Sequence, residues 1–268
     1  MKTLIIANNN ERSREAAERV RDAFLAAGDE AVTAARWPGE GGADLCVVVG
    51  GDGTVLHAGK EAALRGVPVL VLNTGRVGFL AAHQAPVTAS AAELLASAHR
   101  EKRSLLEVSV VSADGSESAP CYALNEAVIS RGEISRIIDI EVAVNGKKIY
   151  TVRGDGVIIA TPTGSTAYSM SAGGPIVAPE VSSVIVTPIC PYTLAARAVV
   201  LPDDAEVSTK VVGLGERVAM LTVDGGAPVT LRDGARVVIR RSGISLELLT
   251  PDEASFYEKI STKLFGLG

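Results

Sequence analysis

The apolar positions of this chain change their rhythm near residue 105. Before it, continuous apolar runs alternate with helical spacing. Leu4-Ile5-Ile6-Ala7 predicts a first strand, and Asn8-Asn9-Asn10 a polar loop with capping potential. From Glu11, Ala16, Ala17, Val20, Ala23 and Phe24 recur at helical spacing until Gly28. Residues 31–33 predict a weak strand and 37–42 a loop rich in Gly and Pro. The apolar run 45–49 then reads as a buried strand, and Val55, Leu56, Ala58, Ala62, Ala63 and Leu64 as the inner face of a helix ending at Gly66. A further buried strand follows over 67–72. Strands apolar along their whole length and separated by helices predict a parallel sheet covered on both faces. The alanine-rich stretch 89–100 predicts a helix with Thr88 as its candidate cap, and basic Lys102 and Arg103 mark a border.

Beyond residue 105 the periods shorten. Strands are expected over 105–111, 127–129, 137–144, 148–152, 184–187, 198–201, 207–212, 218–223, 236–239 and 245–249, punctuated by Gly, Pro and Asp. Asn145-Gly146 is a strong hairpin turn signal between two of them. That rhythm predicts a β-sandwich. From Pro251, Phe256, Ile260, Leu264 and Phe265 suggest a terminal helix that returns to the first domain. The expected fold class is therefore α/β plus all-β. An N-terminal α/β parallel-sheet domain (1–104, completed by 250–268) precedes a C-terminal β-sandwich domain (105–249).

Composition narrows the function classes. With 268 residues, 47% of them hydrophobic and 21% charged, the chain has ample material for packed cores. A net charge of −5 argues against broad nucleic-acid binding, yet leaves room for a locally positive site that takes small anions. Cys46, Cys121 and Cys190 are widely spaced among apolar neighbours, and read as small core hydrophobes in a reducing compartment rather than a disulfide or zinc framework. The first apolar run is too short for a signal peptide, and no stretch approaches the ~18 apolar residues of a membrane span. The expectation is a soluble cytoplasmic protein without membrane partners.

The chemistry gathers around Val47-Val48-Val49-Gly50-Gly51-Asp52-Gly53-Thr54. A strand that ends in Gly-Gly-Asp-Gly-Thr and feeds a helix offers bare backbone N–H groups to an anion, with the helix dipole in support. Asp52 beside such a site repels phosphate unless a metal or a reacting hydroxyl compensates it. A plain tight turn accounts for the four residues equally well. Two common phosphate signatures are excluded. Gly59-Lys60 is followed by Glu61, with Thr54 where a Walker A loop has its first Gly, and a dinucleotide fingerprint from Gly51 and Gly53 would need Gly or Ala where Leu56 stands. The loop 73–79 is expected on the same sheet edge as the 50–54 turn.

A second stretch, 154–169, carries Gly154-Asp155-Gly156 and then Thr161, Thr163, Ser165, Thr166, Tyr168 and Ser169 ahead of a short helix. Hydroxyls and amides at a helix start suit phosphate, ribose or carboxamide, although an ordinary Ser/Thr-rich capping loop has the same composition. Upstream, Asn125-Glu126 opens a strand. Neighbours on a strand point to opposite faces, and a bulge would turn both to one site.

Taken in order, these pieces closely resemble the NAD kinase family. The resemblance runs over the 50–54 turn, Val77-Gly78-Phe79-Leu80, Asn125-Glu126, the discriminating stretch 155–175, Thr187-Pro188-Ile189, and Ser255-Phe256-Tyr257 with Lys263-Leu264. It implies an α/β domain, a β-sandwich, an active site between them, and a homodimer or homotetramer. The implied reaction is transfer of the γ-phosphoryl of ATP, with polyphosphate as an alternative donor, to the 2′-hydroxyl of the adenosine ribose of NAD. Mg²⁺ or another divalent cation would accompany ATP. The resemblance makes Asp52 the general base or hydroxyl-orienting residue, and puts Gly51, Gly53 and Thr54 by the phosphates. It puts Phe79 near the adenine, Asn125 and Glu126 on the adenosine and its ribose, and Asp155 at the nicotinamide end. Thr166, Ala167, Tyr168 and Ser171 would line the dinucleotide pocket, and Arg153 is a candidate to reach ligand or a neighbouring subunit.

One departure stands out: Cys190-Pro191-Tyr192-Thr193-Leu194 replaces the Ala-Pro-His-Ser-Leu of many members. His57 reads as a packed or capping residue with a lesser claim on ligand, and His83 and His99 as surface residues. A lipid or sphingoid-base kinase shares the first turn but calls for a basic amphipathic surface that this chain lacks. A non-catalytic dinucleotide sensor would hold NAD without consuming ATP.

Overall fold

The computed structural model describes residues 1–39, 41–75, 78–80, 89–133, 136–250, 256–264 and 266. Val77, His83, Thr88, Ser255 and Phe265 lie outside these residues. In chain order the elements are β1 (Lys2–Ala7), α1 (Glu11–Ala26), β2 (Glu30–Ala34), β3 (Leu45–Val49), α2 (Asp52–Leu64), β4 (Val69–Leu72) and α3 (Ala91–Ser97). There follow β5 (His99–Val111), β6 (Cys121–Ala123), β7 (Glu126–Arg131), β8 (Ile138–Val144), β9 (Lys147–Gly154) and β10 (Gly156–Ala160). After β10 come a 3-10 turn over Thr163–Thr166, α4 (Tyr168–Ser171), β11 (Ser183–Ile189), β12 (Val199–Pro202) and β13 (Val207–Val212). The last elements are β14 (Ala219–Val223), β15 (Val229–Leu231), β16 (Arg236–Thr250) and α5 (Phe256–Leu264). The chain divides into two compact units, Met1–Arg103 with Ile244–Gly268, and Ser104–Gly243.

In the first unit the strands run in the order β2-β1-β3-β4-β16, every neighbouring pair parallel. Leu45 to Val49 are each fully buried, as a strand covered on both faces requires. Asn10 caps α1, its side chain accepting the Ser13 N–H at 2.8 Å. Phe24 of α1 packs with Ile5, Val47 and Leu70 in the core of this unit. Because the chain leaves β1 for β2 on one side and then crosses to β3 on the other, the sheet reverses its winding between β1 and β3. Parallel sheets bind ligands at the carboxyl ends of strands at such a reversal.

The second unit is a sandwich of two antiparallel layers. One has the order β12-β11-β10-β7-β14-β15, and the other contains β13, β8 and β9 with the first half of β16. Their inner faces share a core that includes Ile129, Val157, Ile159 and Leu221 from the first layer and Ile140, Val142, Val207 and Ile239 from the second. Asn145 and Gly146 both take positive φ (49° and 75°), the geometry of a two-residue hairpin turn between β8 and β9.

Four local expectations change. The helix expected over 89–100 covers only Ala91–Ser97, because a Ser90–Glu93 capping box fixes its start and Ala98 is already extended; His99 and Arg100 open β5. The strands expected over 236–239 and 245–249 are one strand, β16, since Ser242 and Gly243 stay extended instead of turning. Strands β6 and β15, three residues each, are too short to show a period. Cys46 is a core residue, with burial pushing its thiol up to about 12, whereas Cys121 and Cys190 are exposed. Cys121 lies on β6, which pairs with β5 alone, and Cys190 follows the end of β11 at φ 44°.

Phe24→Ala is expected to remove about 3–5 kcal/mol from the first unit. Denaturant unfolding followed by the emission of Trp37, the single tryptophan and a buried residue of that unit, checks this as a lowered midpoint.

Candidate functional site

The turn after β3 is built without a side-chain cap. Gly51 occupies the cap position of α2 at φ −94°, and no side chain hydrogen-bonds the first amides of the helix. The Thr54 N–H turns back to the Gly51 carbonyl at 2.9 Å, and among the described residues the N–H groups of Asp52 and Gly53 have no partner. A Cβ on Gly51 or Gly53 would meet nothing within 4 Å, so neither glycine is required by packing. Gly51 needs no left-handed conformation, and Gly53 inside a helix costs about 1 kcal/mol relative to alanine. The two glycines leave open space over a helix N-terminus, the setting in which backbone amides can take an anion.

Asp52 opens α2, and its carboxylate is held from outside the helix. Oδ2 accepts the Phe79 N–H at 2.9 Å and Oδ1 accepts the Leu80 N–H at 3.2 Å. Gly78 makes this approach possible, since a Cβ there would stand 1.8 Å from Asp52 Oδ1. The loop is braced in turn by α5. Lys259 Nζ donates to the Phe79 carbonyl at 3.2 Å, Lys263 Nζ lies 4.7 Å from the centre of the Phe79 ring, and Phe256 lies 6.3 Å from it. Burial lowers the pKa of Lys259, with the Glu101 carboxylate opposing it most strongly. Burial lowers Lys263 as well, and the Asp52 charge works against that shift.

In the second unit Asp224 organises the segment 124–126. Its buried carboxylate accepts the N–H groups of Leu124 at 2.8 Å, Asn125 at 2.8 Å and Glu126 at 3.0 Å. From the other side Thr161 donates its hydroxyl to the Leu124 carbonyl at 2.6 Å and its N–H to the Asn125 carbonyl at 2.8 Å. Asn125 and Glu126 are both buried. The Glu126 carboxyl is pushed up to about 7, first by burial and then by the Asp224 charge, against a hydrogen bond from the Tyr168 N–H. Its Oε2 is buried and has no hydrogen-bond partner. An orphaned carboxylate oxygen in a folded protein calls for an explanation, and a ligand hydroxyl is one that would satisfy it.

The hydroxyls of 161–169 divide into two sets. Thr161, Ser165 and Ser169 belong to the scaffold. The Ser165 hydroxyl exchanges hydrogen bonds with the backbone of Val177 at 3.1 and 3.0 Å, and Ser169 pairs with Thr187 at 2.9 Å. Gly164 lets this stretch close over Asn125, whose carbonyl would stand 2.2 Å from a Cβ. Tyr168 and Ser171 are exposed, and Thr166 and Ala167 half-buried. Asp155 forms a 2.8 Å ion pair with Arg131, and the exposed Arg153 lies 4.0 Å from Asp139.

Asp52, Gly51, Gly53, Thr54 and Phe79 thus share one locality of the first unit. In the second unit Glu126 meets the backbone of Tyr168 and Asn125 that of Thr161, while Asp155 and Arg153 sit at the junction of β9 and β10. Sequence reasoning missed Asp224, Lys259 and any role for Lys263. The turn Asp224-Gly225-Gly226 after an apolar run was the one available signal for the first; Asp224 and Gly225 both take positive φ. His57 is exposed one turn into α2, and His99 is exposed on β5.

The comparisons with known proteins agree with this layout. Residues 7–100 match the family model of the ATP-NAD kinase N-terminal domain, and residues 124–250 that of the ATP-NAD kinase C-terminal domain. The chain is 42% identical over 231 residues to the NAD kinase of Symbiobacterium thermophilum, covering 85% of this chain and 81% of that one. It is 36% identical over 224 residues to the NAD kinase of Magnetococcus marinus, covering 83% and 74%. Its fold is similar to that of a yeast NADH kinase complexed with NADH (TM-score 0.82, 24% identity, 100% of this chain and 88% of that one). The same holds for an NAD kinase from Archaeoglobus fulgidus in complex with ATP (TM-score 0.77, 24% identity, all of both chains). By its sequence along both halves the chain belongs to the NAD kinase family of phosphotransferases.

Proposed function

We propose that the chain transfers the γ-phosphoryl of ATP to the 2′-hydroxyl of the adenosine ribose of NAD, forming NADP. The observation that carries this reading is the Asp52 carboxylate, fixed by two backbone amides beside an uncapped helix N-terminus. The triphosphate lies on the amides near Gly51, Gly53 and Thr54. Asp52 keeps lone pairs for the acceptor hydroxyl and orients it, taking its proton late if the transition state is loose. A phosphate-bound Mg²⁺ usually draws one or two carboxylates from a protein, and Asp52 is available as one. That cation would neutralise charge on the transferring group. Lys259 and Lys263 add positive charge within electrostatic reach of Asp52.

The dinucleotide draws on the second unit. The unpartnered Oε2 of Glu126 accepts a ribose hydroxyl, with Asn125 beside it. Thr166, Ala167, Tyr168 and Ser171 present the outward part of their stretch to the ligand, and Asp155 with its Arg131 partner takes the nicotinamide end. Arg153 and the sandwich edge are the surfaces for a homodimer or homotetramer. Among the described residues no helix is long and apolar enough to cross a membrane. The proposed enzyme is cytoplasmic.

Purified protein with NAD, ATP and Mg²⁺, read through an NADP-specific dehydrogenase, tests the reaction. Asp52→Asn should lower kcat by roughly 10²–10⁴-fold with NAD binding retained. Unchanged turnover in the variant would remove Asp52 from the mechanism.

Glu126 gives a pH signature. Folded, its carboxyl stays neutral up to about 7, whereas unfolded it ionises near its ordinary 4.5. The stability of the neutral group is fully present below 4.5 and is lost as pH rises through about 7. That loss amounts to roughly 3 kcal/mol for a gap of this size. Glu126→Gln should therefore gain stability relative to the native chain between pH 4.5 and 8, measured by urea unfolding across that range. A difference that does not vary with pH would show that Glu126 titrates normally.

A further inference from the structure

The last helix of the chain reaches the Asp52 carboxylate through a single peptide group. Lys259 of α5 donates from Nζ to the Phe79 carbonyl at 3.2 Å. That carbonyl shares its peptide plane with the Leu80 N–H, which donates to Asp52 Oδ1 at 3.2 Å. A trans peptide points its C=O and its N–H in opposite directions. The 79–80 peptide therefore stands between a cation and an anion, with its dipole aligned to both.

Only one orientation of this peptide satisfies both ends. Turned over, it would face its carbonyl oxygen to the carboxylate and its N–H to the ammonium, and both contacts would repel. The ammonium is free for this task. Glu101, the carboxylate that most favours its charge, is ion-paired with Arg103, and Asp52 is held by the amides of Phe79 and Leu80. Burial works against the charge on Lys259, and α5 has no fully buried residue, so the lysine is not the anchor of a core. An apolar side chain would dock the helix at less cost than a half-buried ammonium on a neutral carbonyl. Lys263, one turn further on, meets the Phe79 ring at 4.7 Å instead of the peptide.

We propose that Lys259 is a positioning residue for the transfer: its ammonium locks the 79–80 peptide with the Leu80 N–H facing Asp52. The lock sets the direction in which that carboxylate offers its remaining lone pairs to the acceptor hydroxyl. The effect on turnover rests on the kinase reading, and the lock itself on the hydrogen-bond chain alone. Hydrogen bonds in series polarise one another, so the cation strengthens the Leu80 donor as well as orienting it. Removing the ammonium leaves the groups that bind the substrates in place and loosens the carboxylate. That loss falls on kcat and not on KM.

Two readouts on the full-length chain test this. The sequence holds two Phe-Leu peptides, 24–25 in α1 and 79–80, so protein labelled with ¹³C-carbonyl phenylalanine and ¹⁵N-leucine gives one linked amide signal for each. Lys259→Met should shift the 79–80 signal and leave that of 24–25, which also reports that the first unit is folded. Lys259→Arg should keep both near their native positions. In the NADP assay, Lys259→Met should lower kcat roughly five- to tenfold, with the KM for NAD and for ATP within about twofold. Lys259→Arg should recover most of that loss. Introduced into Asp52→Asn, Lys259→Met should cost less than about twofold, because a residue acting through Asp52 has little left to act on. An unmoved 79–80 signal would overturn the lock. An equal fall in kcat in both backgrounds would show Lys259 acting elsewhere than on Asp52. If the native chain forms no NADP from any donor, the kinase reading fails, and the 79–80 signal then judges the lock alone.

Discussion

The hydrogen bonds from the Phe79 and Leu80 amides to Asp52 tie the chemistry of the first unit to its topology. A carboxylate at the start of a helix is stabilised by the dipole, yet on a free side chain it would sample several rotamers and repel an incoming phosphate. Two backbone donors from the loop after the neighbouring parallel strand remove that freedom. The geometry is possible because β3 and β4 are adjacent and in register, so that their carboxyl ends deliver the turn and the loop to one edge. It is exclusive because Gly78 leaves no room for a side chain. α5 then packs on the loop through Phe256, Lys259 and Lys263, so the last helix of the chain steadies a carboxylate near its beginning.

The second unit answers the same need with a different device. There the backbone at 124–126 must be fixed at the end of a strand, and Asp224 fixes it by taking three amides on one buried carboxylate. Once that charge is in place, a second carboxyl beside it is costly. Glu126 carries this cost, being raised to about 7 and left with an unpartnered oxygen. A packed apolar residue would stabilise the fold more. Retaining an acid here is the kind of local violation expected where a ligand, and not the fold, supplies the missing partner.

Much of this layout was legible because it is written in local patterns. The runs at 45–49 and 67–72 announce buried parallel strands, and Asn145-Gly146 announces its hairpin. Relations between distant residues leave no such trace. The Asp224 cap acts across about a hundred positions, and nothing in a single sequence pairs it with Asn125. The hydroxyl cluster left two readings open for the same reason, since Ser165 and Ser169 meet their partners Val177 and Thr187 only in the folded chain. Lys259 sits in an ordinary amphipathic helix and becomes notable only when its ammonium reaches the Phe79 carbonyl. Asn8 and Asn9 read as a polar loop until the strand order shows that β1 lies at the reversal.

A chain with a net charge of −5 must hold anionic nucleotides, and long-range attraction cannot do this for it. At physiological salt, exposed charges are screened beyond about 8 Å, so the local arrangement decides. Under the proposed reading, the local positive charge comes from Lys259 and Lys263 on the Asp52 side of the turn. The nearby acids are tied up, Glu61 by Arg65 and Glu101 by Arg103. Asp52 is the exception, a carboxylate beside the proposed anion site whose hydrogen bonds, among the described residues, come from neutral amides. Pairing it to a lysine would quiet the repulsion but would occupy the lone pairs that a reacting hydroxyl needs. Amides fix its position and leave those lone pairs open.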